Sequence, residues 1–478
     1  MKPDPHALRE SARRFGQQHL FAFWDELTLD QRSALLGDVA SIDFEMVSSL
    51  LRAPASGAAP LRPETVEPPD MLPPTPATPD QHERYERARR LGRELLESGK
   101  VAAMTVAGGQ GTRLGFDAPK GTFPIGPVSG KSLFELFAES ILATRRRYDA
   151  PLPWLIMTSD ATDQATRAFF AQHDFFGLGQ STVHFFCQAM MPAVDDDGRI
   201  MLREKHRVAV SPNGHGGSLK ALSDSGLIDH LLRAGVDIIS YFQVDNPLVT
   251  PADPLFLGLH ALAGSHMSSI AVRKTGDFEK VGVFARVDGV LQVIEYSDLP
   301  DALATARTPG GGRLLDAASV AIHLLCPRFV HRLTGTGSDL KLPWHRARKS
   351  VPFIDLTTGQ LVRPDAPNAT KFELFVFDAL RLAHNPLVLE QPRSACFSPV
   401  KNSHGMDSVE SAQRHMIARA AEWLERCGIT VPRQPDGAPA AVLEISPLFA
   451  LDAEQLAERI DRSLIIRPNE RFYIHEAG

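Results

Sequence analysis

The stretch V-A-A-M-T-V-A-G-G-Q-G-T-R-L-G-F-D-A-P-K-G, residues 101–121, decides the fold. Its first six residues form an apolar run interrupted by Thr105 alone, as expected of a strand buried on both faces, and glycines follow after Ala107. A glycine-rich turn leaving such a strand presents backbone N–H groups to an anion, because no Cβ blocks the approach and positive φ is tolerated. Arg113 and Lys120 add two positive charges to the same loop. The composition points to a ligand rich in phosphate.

Three nucleotide-binding patterns compete for this stretch. The dinucleotide fingerprint G-x-G-x-x-G starts at Gly109 and Gly111, but its third glycine falls on Leu114, with Gly115 one place late. A P-loop fails as well: G-P-V-S-G-K-S, Gly126 to Ser132, has three residues between its glycines where four are needed, and it follows a proline turn. The nucleotidyltransferase signature, G-G-x-G-T-R-L followed closely by P-K, fits Gly108 to Gly121 without a gap. A bare glycine turn, the plainer alternative, requires neither the arginine nor the lysine.

Working outward, short β-rich runs alternate with helical stretches. The runs are Val101–Val106, Trp154–Met157, Val183–Phe186, Ile238–Val244, Ser269–Val272 and Val281–Val287; the helical stretches include Ser132–Arg147 and Asp163–Gln172. That alternation predicts an α/β domain over 96–405, with a mostly parallel, doubly wound sheet of the Rossmann-like kind. Before it, residues 1–95 are expected to hold two or three amphipathic helices between His6 and Leu51. A proline-rich connector over 53–79, with nine prolines and no expected ladder, leads to a charged helix at Gln81–Ser98. After it, residues 406–478 are expected to form a small C-terminal subdomain that starts with a helix at Ser408–Arg426.

Bulk composition excludes several classes. With 51 basic against 57 acidic residues and a formal charge of −6, no broad basic field is available to wrap nucleic acid. Cys187, Cys326, Cys396 and Cys427 show no C-x-x-C spacing, so neither a zinc site nor a disulfide framework is expected. The N-terminus lacks an apolar signal core, and no uninterrupted apolar run of about 18 residues occurs. These features lead us to expect a cytoplasmic protein, with no membrane or nucleic-acid partner, that is a monomer or a weak homo-oligomer.

Beyond the glycine loop, several motifs stand in a recognisable order: P-W-L-I-M-T-S-D at 153–160, F-F-C-Q-A-M-M-P around Gln188, S-P-N-G-H-G-G at 211–217 and Q-V-D-N at 243–246. They continue with V-G-V-F-A-R-V-D-G-V-L-Q-V-I-E-Y-S-D at 281–298, K-F-E-L-F-V-F-D at 371–378 and F-S-P-V-K-N at 397–402. On these motifs, from about residue 80 to 405, the chain resembles the eukaryotic-type UDP-sugar pyrophosphorylases, and most of all the UDP-N-acetylglucosamine pyrophosphorylases.

The resemblance implies an Mg²⁺-dependent uridylyltransferase acting on UTP and a sugar 1-phosphate. N-acetylglucosamine 1-phosphate is the first choice, glucose and galactosamine derivatives come next, and a retired enzyme that only binds UDP-sugar is the alternative from another class. It implies that Gly108, Gly109 and Gly111 hold the nucleotide, that Arg113, Lys120 and Lys401 meet the phosphates, and that Gln188 and Gly214 face the uracil. Asp245, after the apolar run I-I-S-Y-F-Q-V, is the expected magnesium ligand, since that ion takes one or two carboxylates and fills its shell with phosphates and water; an Asx turn in D-N-P is the competing explanation. Gly282, Glu295, Ser319, Phe375 and Phe377 stand at positions that contact the sugar in the family, although phenylalanines spaced by two also suit one buried face of a strand.

This chain departs from the family at two places. D-A-A-S-V-A-I-H (316–323) leaves Ser319 and Ile322 where asparagines are expected, and His215 replaces the asparagine of G-N-G-G beside the nucleotide, bringing a side chain that titrates near neutrality. Loss of hydroxyl-directed contacts relaxes discrimination between hexoses.

Overall fold

The apolar runs fold into one ten-stranded sheet, within a unit made of Arg62–Cys187, Ala221–Leu340 and Phe377–Gly478 in a computed structural model that describes residues 4–53, 61–335 and 342–476. Its strands are β1 (Val66–Glu67), β2 (Val101–Val106), β3 (Trp154–Thr158), β4 (Val183–Cys187), β5 (Ile238–Gln243), β6 (Met267–Arg273), β7 (Val283–Val287), β8 (Val290–Ile294), β9 (Ala317–Leu325) and β10 (Leu387–Glu390). The neighbour order is β1-β7-β9-β5-β2-β3-β4, with β8 beside β7 and β6 between β9 and β10.

The sheet is mixed, with a parallel core. β5, β2, β3 and β4 run parallel, and β6 runs parallel to β10. β9 is antiparallel to both β5 and β6, so β6 points the same way as β2. From β2 the chain steps outward to β3 and β4, then returns to the other side of β2 as β5. The order therefore reverses at β2, and a ligand crevice belongs outside the carboxyl ends of β2 and β5. Every residue of β2 is buried, and its one polar residue, Thr105, accepts from Trp154 Nε1 at 2.8 Å.

Helices α1 (Pro79–Glu97), α2 (Leu133–Tyr148), α3 (Asp163–Gln172) and α4 (Pro254–Ala263) accompany the sheet. α1 starts at an N-cap, Thr78, whose hydroxyl accepts from Gln81 N–H, and it buries Tyr85, Ala88, Gly92 and Leu96 at helical spacing. α1 and α4 touch through reciprocal glycines: a Cβ on Gly92 would lie 1.8 Å from Pro254 O, and one on Gly258 would lie 1.8 Å from Ala88 O. Backbone meets backbone there, so neither helix can yield by turning a side chain. We expect Gly92→Ala to destabilise the protein by at least about 1–3 kcal/mol despite alanine's better helix propensity, as overpacking does. Urea unfolding checks this; an unchanged midpoint would contradict it.

The proline-rich connector differs in part from expectation. Residues 54–60 lie outside the described residues. Further on, Val66 and Glu67 pair with Val287 and Arg286, while Leu72 N–H donates to Val388 O at 2.9 Å and Leu72 O accepts from Glu390 N–H at 2.9 Å. Ladder contacts form because these three positions, unlike their proline neighbours, keep an N–H.

The C-terminal segment has its own apolar cluster, including Leu424, Leu443, Leu456 and Ile474. It begins with helix α5 (Val409–Arg426) and carries a parallel pair, Val442–Ile445 with Arg471–Ile474. It nevertheless groups with the sheet, since Gln413 Nε2 donates to Ile125 O at 3.1 Å and Arg419 Nη1 to Leu248 O at 3.0 Å.

The second unit collects Met1–Leu61, Gln188–Lys220 and Lys341–Val376. The helices Pro5–Arg14, Leu29–Ala40 and Phe44–Arg52 bury Ala12, Leu35 and Val47 in one cluster with Val194, Val208 and Phe372. The unit boundaries thus differ from 1–95, 96–405 and 406–478: the N-terminal helices share their core with two later segments. Among the described residues the cysteines are free thiols, and no helix is long and apolar enough to cross a membrane.

Candidate active site

The glycine loop sits between the ends of β3 and β5. Ala107 N–H donates to Met157 O at 2.8 Å, and Val244 N–H donates to Val106 O at 3.1 Å. Beyond Ala107 the loop folds into a hairpin closed by Gly111 N–H to Ala118 O (2.9 Å) and Lys120 N–H to Gly109 O (3.0 Å), so Lys120 returns to the start of the glycine run. Ser159 Oγ, just past β3, fixes the base of the loop by donating to Gly108 O at 2.7 Å. The glycines serve different ends. A Cβ on Gly111 would meet Phe116 at 2.8 Å, a packing reason, whereas one on Gly109 would meet nothing within 4 Å. Gly109 leaves open, exposed backbone at the mouth of the crevice. The side chain of Arg113 is exposed and forms no ion pair among the described residues.

Asp245 follows β5 and pairs with Lys120, Oδ2 to Nζ at 3.3 Å, with side chains 16% and 18% exposed. Val400 N–H donates to Asp245 O at 2.8 Å and brings the segment F-S-P-V-K beside it. Lys401 is exposed, its Nζ 5.9 Å from the centre of the Phe397 ring, and its N–H donates to Asp407 O at 2.7 Å. Burial pushes the Asp407 carboxyl up, opposed by Lys401 and Arg393. Lys120, Asp245 and the backbone of Lys401 thus meet at one corner, in the unit that also holds Arg113. The Asx contact in D-N-P comes from Asn246, whose Oδ1 accepts from Leu248 N–H at 3.4 Å, and the Asp245 carboxylate is left to Lys120.

Gly282, Glu295 and Ser319 also converge. Val283 pairs with Ile294 across the β7–β8 hairpin, which sets Gly282 opposite Glu295; Ser319 N–H donates to Gly282 O at 2.8 Å. A Cβ on Gly282 would lie 3.2 Å from Glu295 Oε1. β9 bulges here: Ser269 faces His323 and Ala271 faces Ser319, and Ala321 adopts φ +54° inside the irregularity. Ile322 is 7% exposed and packs in the main core. Its apolar side chain satisfies that core, whatever an asparagine does there in relatives.

Of the remaining site candidates, Gln188, Gly214, His215 and Phe375 lie in the other unit. Met190 pairs with Pro212, and Asn213 N–H donates to Ala189 O at 3.2 Å, which carries the pairing toward Gln188 and Gly214. Gly214, at φ +82°, has a structural reason to be glycine, since a Cβ would lie 2.5 Å from Leu374 O. His215 Nδ1 accepts from Val376 N–H at 3.2 Å, and its ring stacks on Phe375, centroids 5.4 Å apart. Burial, with His345 alongside, pushes its pKa down to about 4. The ring is neutral in neutral solution, so the expectation that it titrates near neutrality is corrected. Phe375 and Phe377 share no strand face, because the strand ends at Leu374. Phe375 lies against His215 and His345, while Phe377 is buried in the unit that carries the sheet.

Comparison with known proteins identifies the family. Residues 62–427 match the family described as UTP--glucose-1-phosphate uridylyltransferase. The chain belongs to this uridylyltransferase family. It is 36% identical over 481 residues to UDP-N-acetylhexosamine pyrophosphorylase-like protein 1 of Homo sapiens, covering 94% of this chain and 93% of that one. It is 31% identical over 460 residues to UDP-N-acetylglucosamine pyrophosphorylase of Saccharomyces cerevisiae, covering 93% and 94%. Among solved structures, a putative UDP-N-acetylglucosamine pyrophosphorylase from Entamoeba histolytica superposes with a TM-score of 0.74 at 29% identity, over 86% of this chain and all of that one. The Trypanosoma brucei uridine diphosphate N-acetylglucosamine pyrophosphorylase shares the fold, with a TM-score of 0.82 at 24% identity over 98% of each chain. The chain is thus a UDP-sugar pyrophosphorylase family enzyme.

In this uridylyltransferase, Ser159 and Asn246 are structural members of the site that motif reading passed over. Both carry a signal, a polar residue within three places after a buried strand at its carboxyl end. The donor set also suits a divalent cation. No group of three or more His, Cys, Asp or Glu among the described residues forms a ready cage, and one part-exposed carboxylate, Asp245 beside Lys120, suits magnesium, which takes one or two carboxylates and keeps its waters and substrate phosphates.

Proposed function

We propose that the chain transfers the uridylyl group of UTP to N-acetylglucosamine 1-phosphate. A phosphate oxygen of the sugar phosphate attacks the α-phosphorus, the bond to the bridging oxygen breaks, and pyrophosphate leaves with the electron pair. The apposition of Lys120 and Asp245 at the switch point, under an open glycine hairpin, carries the reading. Such a transfer asks little covalent work of a protein; positioning and neutralisation of charge supply the rate.

On this reading Gly108, Gly109 and Gly111 offer backbone to the nucleotide, while Arg113, Lys120 and Lys401 neutralise the departing diphosphate. Gln188, Gly214 and neutral His215 face the base. Glu295 accepts from sugar hydroxyls, with Gly282 and Ser319 beside it and Phe375 and Phe377 as apolar walls. Asp245 would hold Mg²⁺, which supplies charge neutralisation at the phosphates when bound. The resemblance to N-acetylhexosamine and N-acetylglucosamine pyrophosphorylases over nearly the whole chain supports the choice of sugar.

Pyrophosphate release should be measured with UTP, Mg²⁺ and the 1-phosphates of N-acetylglucosamine, N-acetylgalactosamine and glucose. The highest kcat/KM is expected with N-acetylglucosamine 1-phosphate, and none after chelation with EDTA. Preference for another sugar overturns the sugar assignment, and no turnover with any overturns the reading in favour of a UDP-sugar binder.

A further inference from the structure

Asn246 is 2% exposed and lies next to Asp245 at the end of β5. Its amide makes two hydrogen bonds to a segment 150 residues away in sequence: Nδ2 donates to Cys396 O at 2.8 Å, and Oδ1 accepts from Ser398 N–H at 3.0 Å. With Val400 N–H donating to Asp245 O at 2.8 Å, three bonds lace residues 396–400 to the corner that carries Asp245. That segment has no ladder of its own. Residues 397–400 belong to neither helix nor strand, and Pro399 has no N–H to give. The next residue is Lys401.

We infer that Asn246 is a positioning residue for uridylyl transfer, setting the distance of Lys401 from Asp245 and Lys120. The inference rests on the proposed role of those three groups at the phosphates. Only an asparagine side chain supplies a donor and an acceptor at this reach: aspartate lacks the donor for Cys396 O, alanine lacks both, and glutamine is a methylene too long. Arg419 braces the same corner from α5 by donating to Leu248 O at 3.0 Å. Loss of the Asn246 amide also gives up its long contact with Leu248 N–H (3.4 Å), but Arg419 still holds Leu248 from that side, so the change falls mainly on the lysine segment. A charge displaced by about 1 Å from its place in a transition state costs up to roughly 100-fold in rate.

The test is a double-mutant cycle in the full chain, read as kcat and KM for pyrophosphate release with UTP, Mg²⁺ and the best sugar 1-phosphate. Lys401→Ala alone is expected to lose activity; if it keeps the wild-type rate, the phosphate reading of the site fails, whatever Asn246 does. Given that loss, Asn246→Ala and the near-isosteric Asn246→Asp are each expected to lower kcat at least tenfold with KM for the sugar phosphate within about threefold. In the Lys401→Ala background the same changes are expected to cost less than threefold more, because the group they position is gone. Multiplicative losses in the double variants, or wild-type kcat in both single variants, overturn the inference. So does a melting temperature below the assay temperature in both, which makes Asn246 a core residue and nothing more.

Discussion

Asp245→Ala is expected to lower kcat by about 100-fold or more while the protein stays folded, on the scale that loss of one preorganised electrostatic partner costs elsewhere. Asp245 lies just past the carboxyl end of β5, with its side chain 16% exposed, and its removal opens no cavity in the core. What it removes is charge: the alanine variant has no carboxylate for a divalent cation and leaves Lys120 without the partner now 3.3 Å away. Asp245→Asn separates these effects. The amide oxygen still accepts from Lys120 at the same place, so local structure is kept, yet an amide is a poor magnesium ligand beside a carboxylate. Both variants should therefore fall together in kcat and share a weakened response in a magnesium titration. A wild-type rate in Asp245→Asn would remove the carboxylate from the chemistry and leave the ion pair with Lys120 as its whole purpose.

The parts of this arrangement that sequence exposes are those carried by local pattern. The run at 101–106 and the helix at 163–172 fall where apolar periodicity puts them, because burial on one face or two leaves a repeat in the chain. The antiparallel side of the sheet was harder. β8 follows β7 through Asp288 and Gly289, both at positive φ, and V-D-G-V carries the matching D-G hairpin signal. β1 hides among prolines because two residues are too few to show a period. The unit built from 1–61, 188–220 and 341–376 was not legible at all, since its core joins segments far apart in sequence through packing that no local pattern records. The same holds for the site. The glycine hairpin announces its chemistry, whereas Asn246 gains its partners only when Cys396 and Ser398 arrive.

Glu444→Gln is expected to destabilise the C-terminal part of the chain by about 3 kcal/mol or more, and to do so without a comparable loss of kcat. G-P-V-S-G-K-S, which falls one residue short of a P-loop, does bind an anion, but the anion is this carboxylate. Glu444 Oε2 accepts from Val128 N–H at 2.6 Å and from Ser129 N–H at 2.7 Å, and Oε1 accepts from Ser129 Oγ at 2.6 Å. The side chain is 4% exposed, on the strand Val442–Ile445, and the loop depends on its glycine, for a Cβ on Gly126 would lie 2.9 Å from Glu444 Oε1. Lys131 extends the clasp by donating to Tyr473 Oη at 2.8 Å and pairing with Glu139. Glutamine keeps the volume and can still take both backbone N–H groups on its amide oxygen, with its N–H₂ donating to Ser129 Oγ, but it loses the charge, so three charge-assisted hydrogen bonds of about 1.5–3 kcal/mol each become neutral ones of about 0.5–1.5 kcal/mol. Thermal unfolding should show the drop, and amide hydrogen exchange should locate it at 126–131 and 442–446. Pyrophosphate release measured well below the melting transition should stay within a few-fold of wild type, because the loop's anion seat is filled from within the protein. A variant that melts like wild type but loses turnover would reverse this assignment, making the loop a substrate phosphate site with Glu444 as its stand-in occupant.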